Sequence, residues 1–236
     1  MERLDKVISS AGICSRKECG RLGREGRINV NGQVVKMLDT KVDDDAVIAI
    51  DGEVIARHRD VVCIMNKPAG FITSTEDDRS RTVMELLPEE MLRQKVVPAG
   101  RLDKDTEGLL VFTNNGDFLH RLISPKSGIP KTYYVEHDGL LSDEAVRAAQ
   151  EGVVLRDGTV CKGASIERLE DGKSNITITE GMYHQVKRMF AALGCHVTYL
   201  RRIRIGGLGL GDLRPSQIRE LDPDEVAMLV TDSKPR

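Results

Sequence analysis

From residue 61 onward the chain strings together short runs with strand character: VVCIMNK, GLLVFTN, KTYYVEH, ASIERL and NITITE. Val, Ile, Tyr, Phe and Thr dominate these runs, as a half-buried pleated surface requires. Two helix-like segments, TVMELL and SDEAVRAAQ, lie among them. Most connections between successive runs are short, whereas parallel neighbours need a crossover of roughly a dozen residues or more. The sequence therefore predicts an α+β domain over 61–230 built on a mixed, mainly antiparallel sheet.

The first 58 residues read as a separate small unit. Leu4, Val7, Ile8 and Ala11 recur at helical spacing up to Gly12. Ser15 then suits the N-cap of a second helix, with Glu18 three residues on completing a capping-box pattern. RINVNGQVV alternates around Asn31-Gly32 and VIAIDGEVI around Asp51-Gly52, two strong hairpin signals. ARHRD, 56–60, reads as the linker, and TDSKPR as a polar tail.

Composition narrows the function classes. Forty per cent of the residues are hydrophobic and 31% charged, which suits a globular fold, and no apolar run approaches the roughly 18 residues of a membrane span. The opening MERLDKVISSAGIC carries Glu2 and Asp5 and no uninterrupted apolar stretch, unlike an export signal, so a cytoplasmic protein is expected. Cys14, Cys19, Cys63, Cys161 and Cys195 are odd in number and scattered, which predicts buried, reduced thiols and no disulfide framework.

A formal net charge of -2 hides a segregated pattern. Residues 1–36 carry eight Lys or Arg against four acids, and residues 181–219 carry seven against Asp212 alone. Such stretches suit phosphate contacts, because each neutralised phosphate releases counterions. They equally suit solvated faces.

Three apparent motifs fail on context. DGKSN, 171–175, imitates the end of a phosphate-binding loop, but Glu167 stands where its first glycine belongs. GGLGLGD, 206–212, lacks GxGxxG spacing, and Pro215 stops any following helix. His184, Cys195 and His196 lack metal-ligand spacing, so no metal site is expected.

Two stretches carry chemistry. PAGRLDKDTEGLL, 98–110, places five charges between Gly100 and Gly108; in extended geometry Arg101, Asp103 and Asp105 would share one side, successive members about 7 Å apart. A carboxylate beside cations suits a nucleophile or a base, and a charged solvated turn is the competing reading. HQVKRMFAAL, 184–193, buries Val186, Met189, Phe190 and Leu193 on one face if helical, leaving His184, Lys187 and Arg188 opposite.

Taken together, GRLDKDTEGLLVFTNNG, KTYYV and EGMYHQVKRMF resemble, in order and over nearly the whole chain, the pseudouridine synthases, specifically the branch that modifies ribosomal RNA. Arg3-Leu4-Asp5-Lys6, Gly12, Ser15-Arg16 and the hairpin at Ile28, Val30, Asn31, Gly32 and Val35 resemble the small RNA-binding domain, the alpha-L motif, that this branch carries at its N-terminus. Gly23 departs from that pattern, where relatives have an apolar residue. A helical glycine costs about 1 kcal/mol relative to alanine, so a frayed second helix is expected. Asn115 stands where many relatives have Asp, a change that affects a turn.

The resemblance implies that Asp103 is the essential catalytic residue, as nucleophile or as base, that Tyr133 is catalytic too, packing on the uracil and able to take its C5 proton, and that Lys187 pairs with Asp103 where other members have arginine. It implies that Arg101 fills the space left by a flipped base, and that Leu102, His184, Gln185 and Arg188 bind substrate. In the small domain it assigns RNA contacts to Arg3, Lys6, Ser15, Arg16, Lys17, Arg21 and Asn31. Tyr134, Leu109 and Leu110 are expected to be core. No cofactor is needed, since no redox change occurs. The implied partner of this monomer is ribosomal RNA or a partly assembled subunit, with a uridine of the small-subunit RNA as target and large-subunit RNA as the alternative. A glycoside hydrolase using Asp103 with Asp105 or Glu107, and a non-catalytic RNA-binding factor, are the competing classes.

Overall fold

A computed structural model describes residues 1–11, 13–55 and 59–231. Gly12, most of the ARHRD linker and the tail beyond Thr231 lie outside the described residues. The chain divides into two compact units, Met1–Arg59 and Asp60–Arg236.

The first unit runs β1 (Glu2–Arg3), α1 (Leu4–Ser10), α2 (Arg16–Arg24), β2 (Ile28–Val30), β3 (Gln33–Val34), β4 (Lys41–Val42), β5 (Ile48–Ile50) and β6 (Glu53–Val54). Seven residues are too few for a helix to stand alone in water, so α1 depends on burying Leu4, Val7 and Ile8 in a core shared with Cys19, Leu22, Ile28 and Ile48. Ser15 caps α2 by accepting from the Glu18 N–H at 3.3 Å. Both hairpins form as expected, in the order β3-β2-β5-β6. Asn31 (φ 49°) and Gly32 (φ 80°), and likewise Asp51 (φ 53°) and Gly52 (φ 87°), take the paired left-handed conformations that a two-residue turn of this hand requires.

Helix α2 corrects one expectation: it is not frayed at Gly23. An added Cβ there would lie 3.0 Å from the Leu38 side chain and 3.0 Å from the Lys36 carbonyl oxygen. The missing side chain lets the segment carrying Leu38 close over the helix.

The second unit continues with β7 (Val62–Lys67), a 3-10 turn at Val83–Leu86, α3 (Glu89–Arg93), β8 (Val97–Ala99), β9 (Glu107–Thr113), α4 (Gly116–Ile123), β10 (Lys131–Asp138) and α5 (Asp143–Glu151). It closes with β11 (Ser165–Glu170), β12 (Lys173–Ile178), α6 (Gln185–Ala192), β13 (His196–Ile205), β14 (Leu208–Gly209), β15 (Ile218–Glu220) and α7 (Pro223–Leu229). Its sheet runs β11-β12-β10-β13-β9-β7-β15, with β14 on β13 and β8 on β9. Among these pairs β13 and β9 alone are parallel, so the mixed, mainly antiparallel expectation holds.

That parallel contact depends on Gly108, at φ 102°, where a Cβ would lie 2.2 Å from the Arg202 carbonyl oxygen. Only glycine lets β13 come this close. Both sheet faces are covered: Phe112, Met65, Val135, Ile176, Met189 and Phe190 pack on one side, Leu109, Val111, Ile64, Leu122 and Ile205 on the other. Leu109 and Leu110 are fully buried, as expected. Tyr134 is not core: it is half-buried, donates its hydroxyl to Glu136 at 2.9 Å and meets Tyr199 edge-on. Residue alternation along β10 turns it away from Tyr133.

Candidate active site

The chain leaves β8 through Gly100 (φ 92°) and enters β9 at Glu107. Between them it does not run extended, the geometry in which Arg101, Asp103 and Asp105 would share one side. The Thr106 N–H returns to the Asp103 carbonyl at 3.1 Å, closing a turn over Asp103–Thr106.

A residue that sequence reasoning passed over holds this turn. Lys67 ends β7 with no solvent exposure, and its ammonium donates to the carbonyls of Thr106 (2.8 Å), Asp103 (3.1 Å), Pro68 (3.1 Å) and Lys104 (3.4 Å). Burial lowers its pKa to about 8. The only signal was a lysine closing a mostly apolar strand. Thr73 adds a reciprocal pair, its hydroxyl donating to the Leu102 carbonyl at 2.9 Å and accepting from the Leu102 N–H at 3.1 Å. The backbone on both sides of Asp103 is thereby fixed from the interior.

Helix α6 faces this turn. Val186, Met189 and Phe190 are buried in the sheet's core, which turns Lys187 outward. Its ammonium reaches Asp105 Oδ1 at 2.6 Å and Asp103 Oδ2 at 3.3 Å. Burial opposes the lysine's charge, but hydrogen bonding to Asp105 and the two carboxylates outweigh it and its pKa is raised; the same hydrogen bond holds the Asp105 carboxyl below its usual value. The two acids differ in access: the Asp103 side chain is 25% exposed, that of Asp105 73%. Asp103, unlike Asp105, lines a cavity of about 520 Å³.

His184 caps α6 in the left-handed region (φ 48°, ψ 34°), a conformation that costs a non-glycine residue energy. The bend directs its Nε2 to Asp103 Oδ1 at 3.4 Å, while its ring stacks on Tyr183 with centroids 3.9 Å apart.

Tyr133, Leu102, Arg101 and Gln185 also line the cavity. Tyr133 and Leu102 are buried; Arg101 is exposed. The Gln185 amide is committed internally, donating to Glu180 at 2.6 Å and accepting from the Met182 N–H at 2.9 Å. Arg188 is directed elsewhere, to Asp157 at 2.5 Å and the Tyr183 carbonyl at 3.2 Å. Of the sequence-derived set, the structure thus gathers Asp103, His184, Lys187, Tyr133, Leu102 and Arg101, with Gln185 in a supporting position and Arg188 apart. Among the described residues no three His, Cys, Asp or Glu side chains converge as a metal site would need.

In the first unit, the candidate RNA contacts separate by partner. Arg3 is held by Asp5, Lys6 by Glu2 at 2.7 Å, and Arg21 by Glu25 at 2.9 Å. The side-chain oxygens of Ser15 and Asn31 accept from the N–H groups of Glu18 and Val47. Arg16 and Lys17 are exposed at the start of α2 with no ion pair among the described residues.

Residues 61–192 match the RNA pseudouridylate synthase family, and residues 2–48 match the S4 domain. The chain is 40% identical to the RNA pseudouridine synthase YtzG of Bacillus subtilis, covering 96% of this chain and 98% of that one. It is 39% identical to ribosomal small subunit pseudouridine synthase A of Escherichia coli (97% and 100% covered) and 38% identical to ribosomal large subunit pseudouridine synthase B of Bacillus subtilis (97% and 96%). A crystal structure of a pseudouridylate synthase superposes with a TM-score of 0.69 at 34% identity, covering 97% of this chain and all of that one.

Proposed function

The chain belongs to the RNA pseudouridylate synthase family, and we propose that it converts one uridine of small-subunit ribosomal RNA to pseudouridine, with Asp103 as the catalytic carboxylate. The observation that carries this reading is the placement of Asp103: its side chain opens on the cavity while Lys187 and His184 contact its two oxygens. A carboxylate so held is oriented before substrate arrives, which avoids reorganisation during the reaction.

The target uridine is flipped out of its RNA stack at a cost of a few kcal/mol, and Arg101 at the cavity's exposed edge occupies or braces the vacated space. The base enters against Tyr133. Asp103 then attacks the nucleotide or removes a ribose proton, and the bond from N1 to C1′ breaks. The base turns, C5 bonds to C1′ as Asp103 leaves C1′ or returns the ribose proton, and the C5 proton is lost while N1 gains one. Substrate and product are isomers, so the sequence of steps requires no redox partner.

The small-subunit assignment is supported by the local sequence EGMYHQVKRMFAALGCHV followed by RIGG. Overall identity does not separate the two targets, at 39% to the small-subunit enzyme and 38% to the large-subunit one. Phosphate contacts position a protein without reading sequence, so target choice falls to the shape of an RNA loop and its splayed bases.

Two measurements test the reading. Tritium release from [5-³H]uridine ribosomal RNA by the purified protein is expected of a synthase and of neither a glycoside hydrolase nor a passive RNA binder. Carbodiimide mapping of both ribosomal RNAs, with and without the gene, is expected to lose a single small-subunit site. Loss of a large-subunit site instead would overturn the target and leave the enzyme class standing.

A further inference from the structure

The cavity wall carries two cations that the scheme above leaves idle. Arg202, on β13, is 3% exposed. Its Nε donates to the Leu109 carbonyl at 2.7 Å and its Nη1 to the Tyr133 hydroxyl at 3.4 Å, while Nη2 has no partner. Lys131 precedes Tyr133 by two residues on β10, so both side chains leave the same face of the strand. Its ammonium has one hydrogen bond, to the Ile129 carbonyl at 3.1 Å. Both cations line the cavity, and among the described residues neither has a carboxylate within ion-pair distance.

Unneutralised charge in a protein interior costs several kcal/mol per ion. The cost is felt here: burial, helped by the charge of Arg202, lowers the pKa of Lys131 to about 8. Asp103 is not the missing counter-charge, since Lys187 and His184 already attend it. Negative charge must come from what enters the cavity.

The reaction supplies it. When the N1–C1′ bond breaks, its electron pair stays on the base and spreads from N1 onto O2 and O4. The carbon left behind bonds to an Asp103 oxygen, or its neighbour C2′ gives a proton to Asp103. The uracil anion then returns the pair through C5, forming the C5–C1′ bond as the Asp103–C1′ bond breaks or as C2′ takes its proton back from Asp103; the C5 proton leaves to solvent and N1 takes one up. Between the two bond changes the base is an anion inside the cavity.

We propose that Lys131 and Arg202 form the anion-holding end of this cavity, stabilising the departing uracil. Lys131 meets a carbonyl oxygen of the base, and Arg202 lies behind Tyr133 as a positioning residue whose fixed charge acts over the short distance through a medium of low dielectric. The inference rests on the synthase reading and assigns that reaction's charge stabilisation to two residues.

The test varies the leaving group. Single-turnover C-glycoside formation is followed by nuclease digestion and chromatography, on the target RNA with uridine or with 5-fluorouridine at the modified position. The 5-fluorouridine C-glycoside keeps fluorine at C5 and takes up water at C6 where uridine's would lose a proton. Fluorine stabilises the uracil anion and reduces the help it needs. Lys131→Met is expected to slow uridine conversion by about 100-fold, the scale of one lost charge-stabilising donor, and to slow 5-fluorouridine conversion about tenfold less. Arg202→Gln is expected to show the same asymmetry with a smaller loss. Lys131→Met makes the decision even where Arg202→Gln fails to fold, since Lys131 gives up a single hydrogen bond.

Equal losses on both RNAs would overturn the proposal, and so would a loss confined to RNA affinity, which would make these cations a phosphate contact. A wild-type protein that converts neither RNA would overturn the synthase reading and this inference with it. Wild-type conversion with symmetric losses would overturn the inference alone.

Discussion

The buried ammonium of Lys67 donates to the main-chain carbonyl of Asp103 at 3.1 Å, across 36 residues of sequence. An α6 lysine sets the side chain of Asp103 from one direction while a β7 lysine sets its backbone from the other. The first contact handles charge. The second fixes where the charged group stands, because three of the four carbonyls around Lys67 belong to the Asp103–Thr106 turn.

Lys67→Met is expected to lower kcat much more than it weakens RNA binding, since the turn loses its anchor while the cavity's walls remain. It also carries a pH signature. The folded-state value of about 8 lies below the ordinary 10.5, so between those values the unfolded chain holds more protons. Wild-type stability should therefore gain a contribution as pH rises from about 8 to about 10.5, on the order of 3 kcal/mol, that the variant lacks. Denaturant unfolding at several pH values checks this; parallel wild-type and variant curves would remove Lys67 from the account.

Asp103→Asn is expected to abolish pseudouridine formation while leaving melting temperature and RNA affinity nearly unchanged. The substitution keeps shape and removes the ionisable oxygen that faces Lys187 or His184. Tritium release within about tenfold of wild type, only 1.4 kcal/mol of barrier, would show that another group does the chemistry.

Lys187 stands between two carboxylates, and the variants should rank accordingly. Lys187→Met is expected to cost about 10²- to 10³-fold in kcat. Asp105→Asn should cost far less, because Asp105 is largely exposed and Lys187 still reaches Asp103. The stability effect follows the pKa directions. Lys187 is raised, so its contribution holds below the ordinary lysine value and is lost as pH rises through the raised one. Asp105 is lowered, so its contribution is lost in acid. The melting difference between wild type and Lys187→Met should be flat from about pH 5 to pH 10 and shrink on both sides.

What could be read from the sequence was local. Asn31-Gly32 and Asp51-Gly52 dictate their turns because few other residue pairs tolerate two consecutive positive φ values. The stripe of Val186, Met189 and Phe190 orients Lys187 for the same local reason. What escaped was set by partners distant in the chain. For residues 101–105 the sequence left an extended run and a charged turn both open; Lys67 draws the carbonyls of Asp103, Lys104 and Thr106 to one point and makes the turn. Tyr134 was expected to be core on its own side of the strand, yet there its hydroxyl meets Glu136 and its ring meets the distant Tyr199.

Gly23 shows propensity yielding to packing. Alanine in a helix is ordinarily favoured over glycine by about 1 kcal/mol. Gly23→Ala is nevertheless expected to lower the stability of the first unit, because the new methyl would press on Leu38 and the Lys36 carbonyl at 3.0 Å. A raised melting temperature would mean that the Leu38 segment moves aside freely.

The same separation of paired from unpaired groups yields a prediction for RNA affinity. Arg3, Lys6 and Arg21 already neutralise acids of their own unit, and a cation engaged that way displaces fewer counterions from RNA. Arg16 and Lys17 have no such partner among the described residues and stand exposed at the start of α2. Replacing both with Gln should therefore reduce the slope of log affinity against log salt by roughly 0.7 to 0.9 per lost phosphate contact, while Arg21→Gln, which also frees Glu25, should change it less. Filter binding of a ribosomal RNA fragment across salt concentrations gives both slopes. If Arg21→Gln flattened the slope as much as the double replacement, ion pairing inside the unit would not govern which cations meet the phosphates, and the contact surface would have to include the Arg21 face of α2.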